Sequence, residues 1–100
     1  MIVYNVTTNI DASVHEDWLE WMKTSHIPDV MRTGMFTEFR FLKVMSDDES
    51  GGFTYSIQYT CDNMDKYQQY IDIYAPSLRA DMISRYKEKF VAFRTLLEVV

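Results

Sequence analysis

Apolar and polar positions alternate from the start of the chain. Ile2, Tyr4 and Val6 interleave with Val3, Asn5 and Thr7, the period of a strand with one more apolar face. Asp11 or Ser13 then supplies a helix cap. Ser13-Val14-His15-Glu16 has the form of a capping box, in which Ser and Glu satisfy two orphan amides reciprocally. Val14, Trp18, Trp21, Met22 and Ser25 follow the 3.6-residue period, and Leu19 widens the stripe. A residue before proline avoids the α region, so Ile27-Pro28 is expected to end this helix. Pro28 opens a short second turn through Met31, and Gly34 stops it.

Met35 to Met45 is rich in Phe and predicts a long strand. Asp47-Asp48-Glu49-Ser50-Gly51-Gly52 reads as a polar, glycine-ended turn. Phe53, Tyr55, Ile57, Tyr59 and Cys61 then alternate strictly with Thr54, Ser56, Gln58 and Thr60, which predicts a half-buried strand and a hairpin with its predecessor. Asp62 is the expected cap of the next helix. Its apolar face is Met64, Tyr67, Ile71 and Tyr74 before Pro76, and Leu78, Met82 and Tyr86 after it, so a bent or broken pair is expected. The last strand begins near Phe90 and runs through Val91, Phe93, Thr95 and Leu97 to Val99.

The order strand, helix, strand, strand, helix, strand predicts an α+β fold of the ferredoxin-like βαββαβ type. Residues 1–100 form a single domain, with four antiparallel strands carrying both helices on one face. The other face is bare and must be solvated, ligand-covered or paired with another subunit. A chain of 100 residues has little core to spare for a deep private cavity, so the bare face is expected to form a homodimer interface.

Charge narrows the partners. Ten basic against fifteen acidic residues leave a net charge of −5, which disfavours nucleic acid and anionic membrane surfaces. The lone Cys61 has no partner for an internal disulfide, the N-terminus lacks a basic signal-peptide region, and the apolar runs are too short to span a bilayer. A cytoplasmic protein is expected.

Strand parity places candidate chemistry on the bare face. Val3, Asn5 and Thr7 come from the first strand and Phe36, Glu38, Arg40 and Leu42 from the second. Thr54, Ser56, Gln58 and Thr60 come from the third, and Ala92, Arg94, Leu96 and Glu98 from the last. Asn5, Glu38, Arg40, Gln58 and Arg94 are thus candidate ligand-binding residues for a small molecule held between two facing sheets. The plainer reading is that Arg40 or Arg94 pairs with Glu38 or Glu98 and seals a dimer or sits in water. In the second strand, Phe39 and Phe41 compete with Phe36 and Leu42 for the inside.

With that order in hand, the segments Trp18-Leu19-Glu20-Trp21-Met22, His26-Ile27-Pro28-Asp29-Val30 and Gly34-x-Phe36 resemble an uncharacterised bacterial family of short ferredoxin-like proteins, a domain of unknown function. Tyr74-Ala75-Pro76-Ser77-Leu78-Arg79 and Arg94-Thr95-Leu96-Leu97-Glu98 fit the same pattern, so the resemblance covers essentially the whole chain. That family is similar to the dimeric α+β barrel superfamily, whose members include cofactor-free monooxygenases, lactone isomerases, haem-degrading enzymes and stress-response domains. The resemblance implies the fold well and the chemistry poorly, because one fold hosts many functions.

His26 is the candidate catalytic residue, since an imidazole changes charge near neutrality. At a helix C-terminus the macrodipole favours its protonated form. In similar families a histidine before a proline borders the barrel mouth. The competing reading is a capping histidine bonded to the last carbonyls. An alternative function follows: a cofactor-independent enzyme, monooxygenase- or isomerase-like, in which Arg40 or Arg94 binds a small anionic or carbonyl compound and His26 moves a proton.

His15, beside Glu16 and Asp17, reads as surface. Cys61 reads as a buried, inert thiol. No spacing marks a metal site, Asp47, Asp48 and Glu49 lack calcium-loop spacing, and no cofactor is expected; nothing in the sequence selects for haem. RNA-recognition domains share this element order, and Gly52-Phe53-Thr54-Tyr55 echoes their third-strand motif. Gly51 stands where a basic residue belongs and Gln58 where the final aromatic belongs, so RNA binding is disfavoured. Whether the protein is an enzyme is open at this point.

Overall fold

The computed structural model describes residues 1–46 and 51–100. Strand β1 (Ile2–Asp11) leads through a 3₁₀ turn (Ala12–Val14) into helix α1 (His15–Trp21), a π turn (Met22–His26) and helix α2 (Ile27–Arg32). Strands β2 (Glu38–Lys43) and β3 (Gly52–Cys61) follow. Helix α3 (Met64–Gln69), a π turn (Tyr70–Tyr74), helix α4 (Ala75–Tyr86) and a 3₁₀ turn (Lys87–Lys89) lead to β4 (Phe90–Glu98). The calcium-like residues Asp47, Asp48 and Glu49, with Ser50, lie outside the described residues.

Every neighbouring strand pair is antiparallel, in the order β2-β3-β1-β4. The ferredoxin-like expectation holds. Directly opposed residues share a face, so the register sets the two sides of the sheet. Tyr4 opposes Tyr59 and Leu96, and Val6 opposes Ile57 and Arg94. These point toward the helices. Trp18, Met22, Ile27 and Val30 from the first helical stretch, with Tyr70, Ala75 and Tyr86 from the second, close the core over Tyr4, Ile10, Tyr55, Ile57 and Tyr59. The core is aromatic: the Phe36 ring lies 4.8 Å from Tyr70 and 5.2 Å from Tyr59, and is stacked on Tyr4 at 6.2 Å.

Five local expectations need correction. Ile27-Pro28 does not end the first helix. The Ile27 N–H reaches back five residues to Met22 O, and the resulting π turn puts Pro28 in the first turn of a new α segment, where its missing N–H and fixed φ do no harm. The second helical stretch solves Pro76 in the same way, with Ala75 N–H on Tyr70 O. Strand β2 is shorter than Met35–Met45, and Phe36 precedes it and is buried in the core, not on the bare face.

The first cap is Asp11, whose carboxylate takes both the N–H and the hydroxyl of Ser13. Glu16 faces His15 Nδ1 at 3.4 Å instead of closing a box. The second cap is Asn63, which accepts from Lys66 N–H, and not Asp62. His15 is buried, not surface: its ring stacks on Phe53 at 3.9 Å and its Nε2 lies 2.7 Å from Tyr55 Oη.

Candidate functional site

The bare face is a grid of three polar columns and one apolar column. Arg40, Gln58 and Asn5 lie in one row across β2, β3 and β1, and Thr95 of β4 completes it. Glu38 lies in the next row with Thr60 and Val3. Four of the sequence-based candidates therefore share this face. Asn5 is buried and committed within the sheet: its amide donates to Thr7 Oγ1 at 3.0 Å and its carbonyl accepts from Ser56 Oγ.

Strand β4 departs from its expected parity. Val91, Phe93, Thr95 and Leu97 occupy the bare face, while Ala92, Arg94, Leu96 and Glu98 turn toward the helices. Both parities of this edge strand carry apolar residues, so alternation alone did not separate them; pairing with β1 does. Arg94 consequently lies on the opposite side of the sheet from Glu38, and it does not pair with Glu98. Among the described residues it takes part in no ion pair.

What Arg94 meets is a cavity of about 210 Å³ between the sheet and the helices. Its origin is local. Thr8 and Ala92 are directly opposed on β1 and β4, and two short side chains there leave a hollow between the larger Phe90 and Arg94. Val6, Ile57 and Tyr59 form the floor, and Met22, Leu78 and Met82 hang from the helices.

The polar groups of the cavity converge on one atom. Tyr4 Oη accepts from Arg79 Nη2 at 3.0 Å and from Arg94 Nε at 3.1 Å. Its ring is buried and its hydroxyl is reached from α4 and β4 at once. A phenol oxygen that accepts twice still has its own proton to donate. Neither guanidinium takes part in an ion pair among the described residues. Two cations aimed at a neutral oxygen, beside an apolar floor, make a concentrated positive field in a chain of net charge −5. Burial pushes the neighbouring phenols Tyr59 and Tyr70 upward, so both stay protonated.

His26 sits on the cavity wall. It stands at the end of the π turn inside a continuing helix, so it is neither a C-terminal cap nor a beneficiary of the helix dipole. Its ring stacks on Trp21 at 4.8 Å. Desolvation holds its pKa below the usual histidine value, with Arg94 acting the same way and Asp29 and Asp81 opposing. The expected protonated imidazolium is replaced by a neutral imidazole at pH 7, able to accept a proton.

Tyr4 and Arg79 were not singled out from the sequence. The signal was present for Tyr4: a tyrosine on the buried parity of a central strand needs a partner for its hydroxyl. Which residue provides it depends on how α4 crosses the sheet, some 75 residues away in sequence. Cys61 is buried, and desolvation raises its pKa, in keeping with an inert thiol. Among the described residues no group of three or more His, Cys, Asp or Glu is placed to hold a metal ion. No described helix is long and apolar enough to cross a membrane.

Solved structures share this fold over the full chain at low identity. A dimeric ferredoxin-like protein from an uncultured marine organism superposes with a TM-score of 0.74 at 14% identity, covering 100% of this chain and 95% of its own. An ethyl tert-butyl ether d (EthD) family protein from Bacillus halodurans gives 0.71 at 13%, covering 100% of both chains. Hydroxynitrile lyase from Passiflora edulis gives 0.64 at 14%, covering 99% and 95%. No curated protein matches the sequence. One family model, described as a domain of unknown function, matches residues 1–100.

Proposed function

The chain belongs to that family, DUF4286, and from this premise we propose that it is a homodimeric small-molecule-binding protein, each protomer holding one ligand in the cavity between its helices and its sheet. The observation that carries this reading is the hollow itself. A domain of this size has few apolar side chains to spare, and a cavity of about 210 Å³ left under its helices costs packing energy. An apolar cavity of ~150 Å³ takes up benzene, so this one has room for a single-ring compound with a polar substituent. The site differs in place from the one expected between facing sheets. Glu38, Arg40 and Gln58 remain available to a dimer interface on the bare face, with Val91, Phe93 and Leu97 as its apolar column.

The test fills the hollow without touching its polar groups. Ala92→Leu places an isobutyl group between Phe90 and Arg94. A single-ring neutral fragment, benzyl alcohol, is expected to raise the melting temperature of the parent and not of the variant. Equal shifts in both proteins would exclude the cavity as the site.

A catalytic use of the same cavity is a second reading, favoured by one observation: the His26 ring is on its wall. In that reading His26 accepts a proton from a bound compound and no cofactor takes part, in the manner of a cofactor-independent isomerase or monooxygenase.

A further inference from the structure

We propose that the ligand of this cavity is a small organic carboxylate of single-ring size, gripped by Arg79 and Arg94 around the Tyr4 hydroxyl. The inference rests on the cavity being the binding site and adds the chemical class of what enters it.

Three features define the class. First, Arg79 and Arg94 arrive from different elements, α4 and β4, and meet at one oxygen at 3.0 and 3.1 Å. Each uses a single N–H on Tyr4, so each fork keeps further donors. A carboxylate oxygen is a stronger acceptor for these donors than a phenol, because the bond becomes charge-assisted on both sides. Second, the two guanidinium charges share no carboxylate: the ion pairs among the described residues are His15–Glu16, Arg32–Asp29 and Arg85–Asp17. A bound anion would relieve that mutual repulsion, and the Tyr4 proton supplies one further donor to it. Third, Val6, Ile57, Leu78 and Met82 supply an apolar part of the lining, beside the polar Thr8 and His26. That apolar part gives a free inorganic anion nothing to rest on and gives an apolar ring a seat. The combination selects a charged head and an apolar body in one compact molecule.

The arginines also separate this site from a generic greasy hollow. Arg79 is half-buried and Arg94 exposed, and both line the cavity while their N–H groups meet at Tyr4 Oη.

Calorimetric titration with three probes tests the proposal: benzoate, the neutral isostere benzamide, and inorganic phosphate. Benzoate is expected to bind at least about tenfold more tightly than benzamide, with the advantage shrinking as salt rises. Phosphate is expected not to bind at millimolar concentration. Arg79→Gln and Arg94→Gln should each weaken benzoate more than benzamide and so lower the benzoate-to-benzamide ratio. Arg79→Lys keeps the charge without the fork and should lose part of the preference. Should either glutamine variant fail to fold, the benzoate-to-benzamide ratio of the parent alone decides. Equal binding of benzoate and benzamide would overturn the carboxylate inference and leave the cavity reading standing. Phosphate binding in place of benzoate would overturn the organic class. No binding of any probe, together with no effect of benzyl alcohol, would overturn both.

Discussion

At the scale of single residues, burial and not position in the helix sets the state of His26. Its pKa is lowered in the folded protein, first by desolvation and then by Arg94, against the pull of Asp29 and Asp81. The unfolded chain therefore binds a proton at higher pH than the native one. This contribution to stability is fully present above the unfolded value near 6.5 and is lost as pH falls through that value toward the native pKa. Urea unfolding should report falling stability as pH drops below about 7, and His26→Gln should flatten that slope. A slope unchanged in the variant would mean that another group carries it. His26 was legible in the sequence as a titratable residue, but its protonation preference was not. A proline two positions later suggested a helix end, and only the π turn shows that the helix continues past it. Arg94 was likewise legible as the one basic side chain in an apolar strand, and its face of the sheet was not.

At the scale of elements, both helical stretches share one construction, an α segment, a π turn and a second α segment with proline in its first turn. The strands with strict alternation, β1 and β3, follow their sequence pattern closely. The elements that strayed are the two edges. In β2 the competition among Phe36, Phe39 and Phe41 ends with Phe36 leaving the strand for the core. In β4 apolar residues on both parities left the register to be decided by β1. Of the caps, Asp11 was legible as one of two alternatives, and the second was placed one residue early, at Asp62. Asn63, with its side chain on Lys66 N–H at 3.0 Å, holds the start of α3. Asn63→Ala should cost about 0.5–2 kcal/mol in urea unfolding, whereas Asp62→Ala should stay within about 0.5 kcal/mol of the parent. The reverse order would return the cap to Asp62.

At the scale of the molecule, the two faces of the sheet divide the work. The helix face encloses the cavity, and the bare face carries Val91, Phe93 and Leu97 in one column beside a polar field of Thr, Ser, Asn and Gln. Phe93 is 62% exposed in the isolated chain, a large aromatic on an edge strand, where an unpaired strand edge and an apolar column invite a second copy. Sedimentation equilibrium should give twice 11.9 kDa at micromolar concentration, and Phe93→Lys should shift the mass toward one protomer while the fold survives. A monomeric parent would remove the dimer and leave the cavity untouched, since every group around Tyr4 belongs to one chain. The fold class was readable because six elements in a fixed order admit few topologies. The cavity was not, because it arises where Thr8 and Ala92, 84 positions apart, face each other under two helices.

The central claim is that a small molecule binds beneath the helices and not on the bare face. Methionine methyl groups report on this directly, because Met22 and Met82 line the cavity while Met45 is 92% exposed and not part of its lining. In a spectrum of methyl-labelled protein titrated with benzoate, Met22 and Met82 should shift together and saturate with one affinity, and Met45 should stay in place. Saturable binding that leaves both cavity methyls unmoved would contradict the claim.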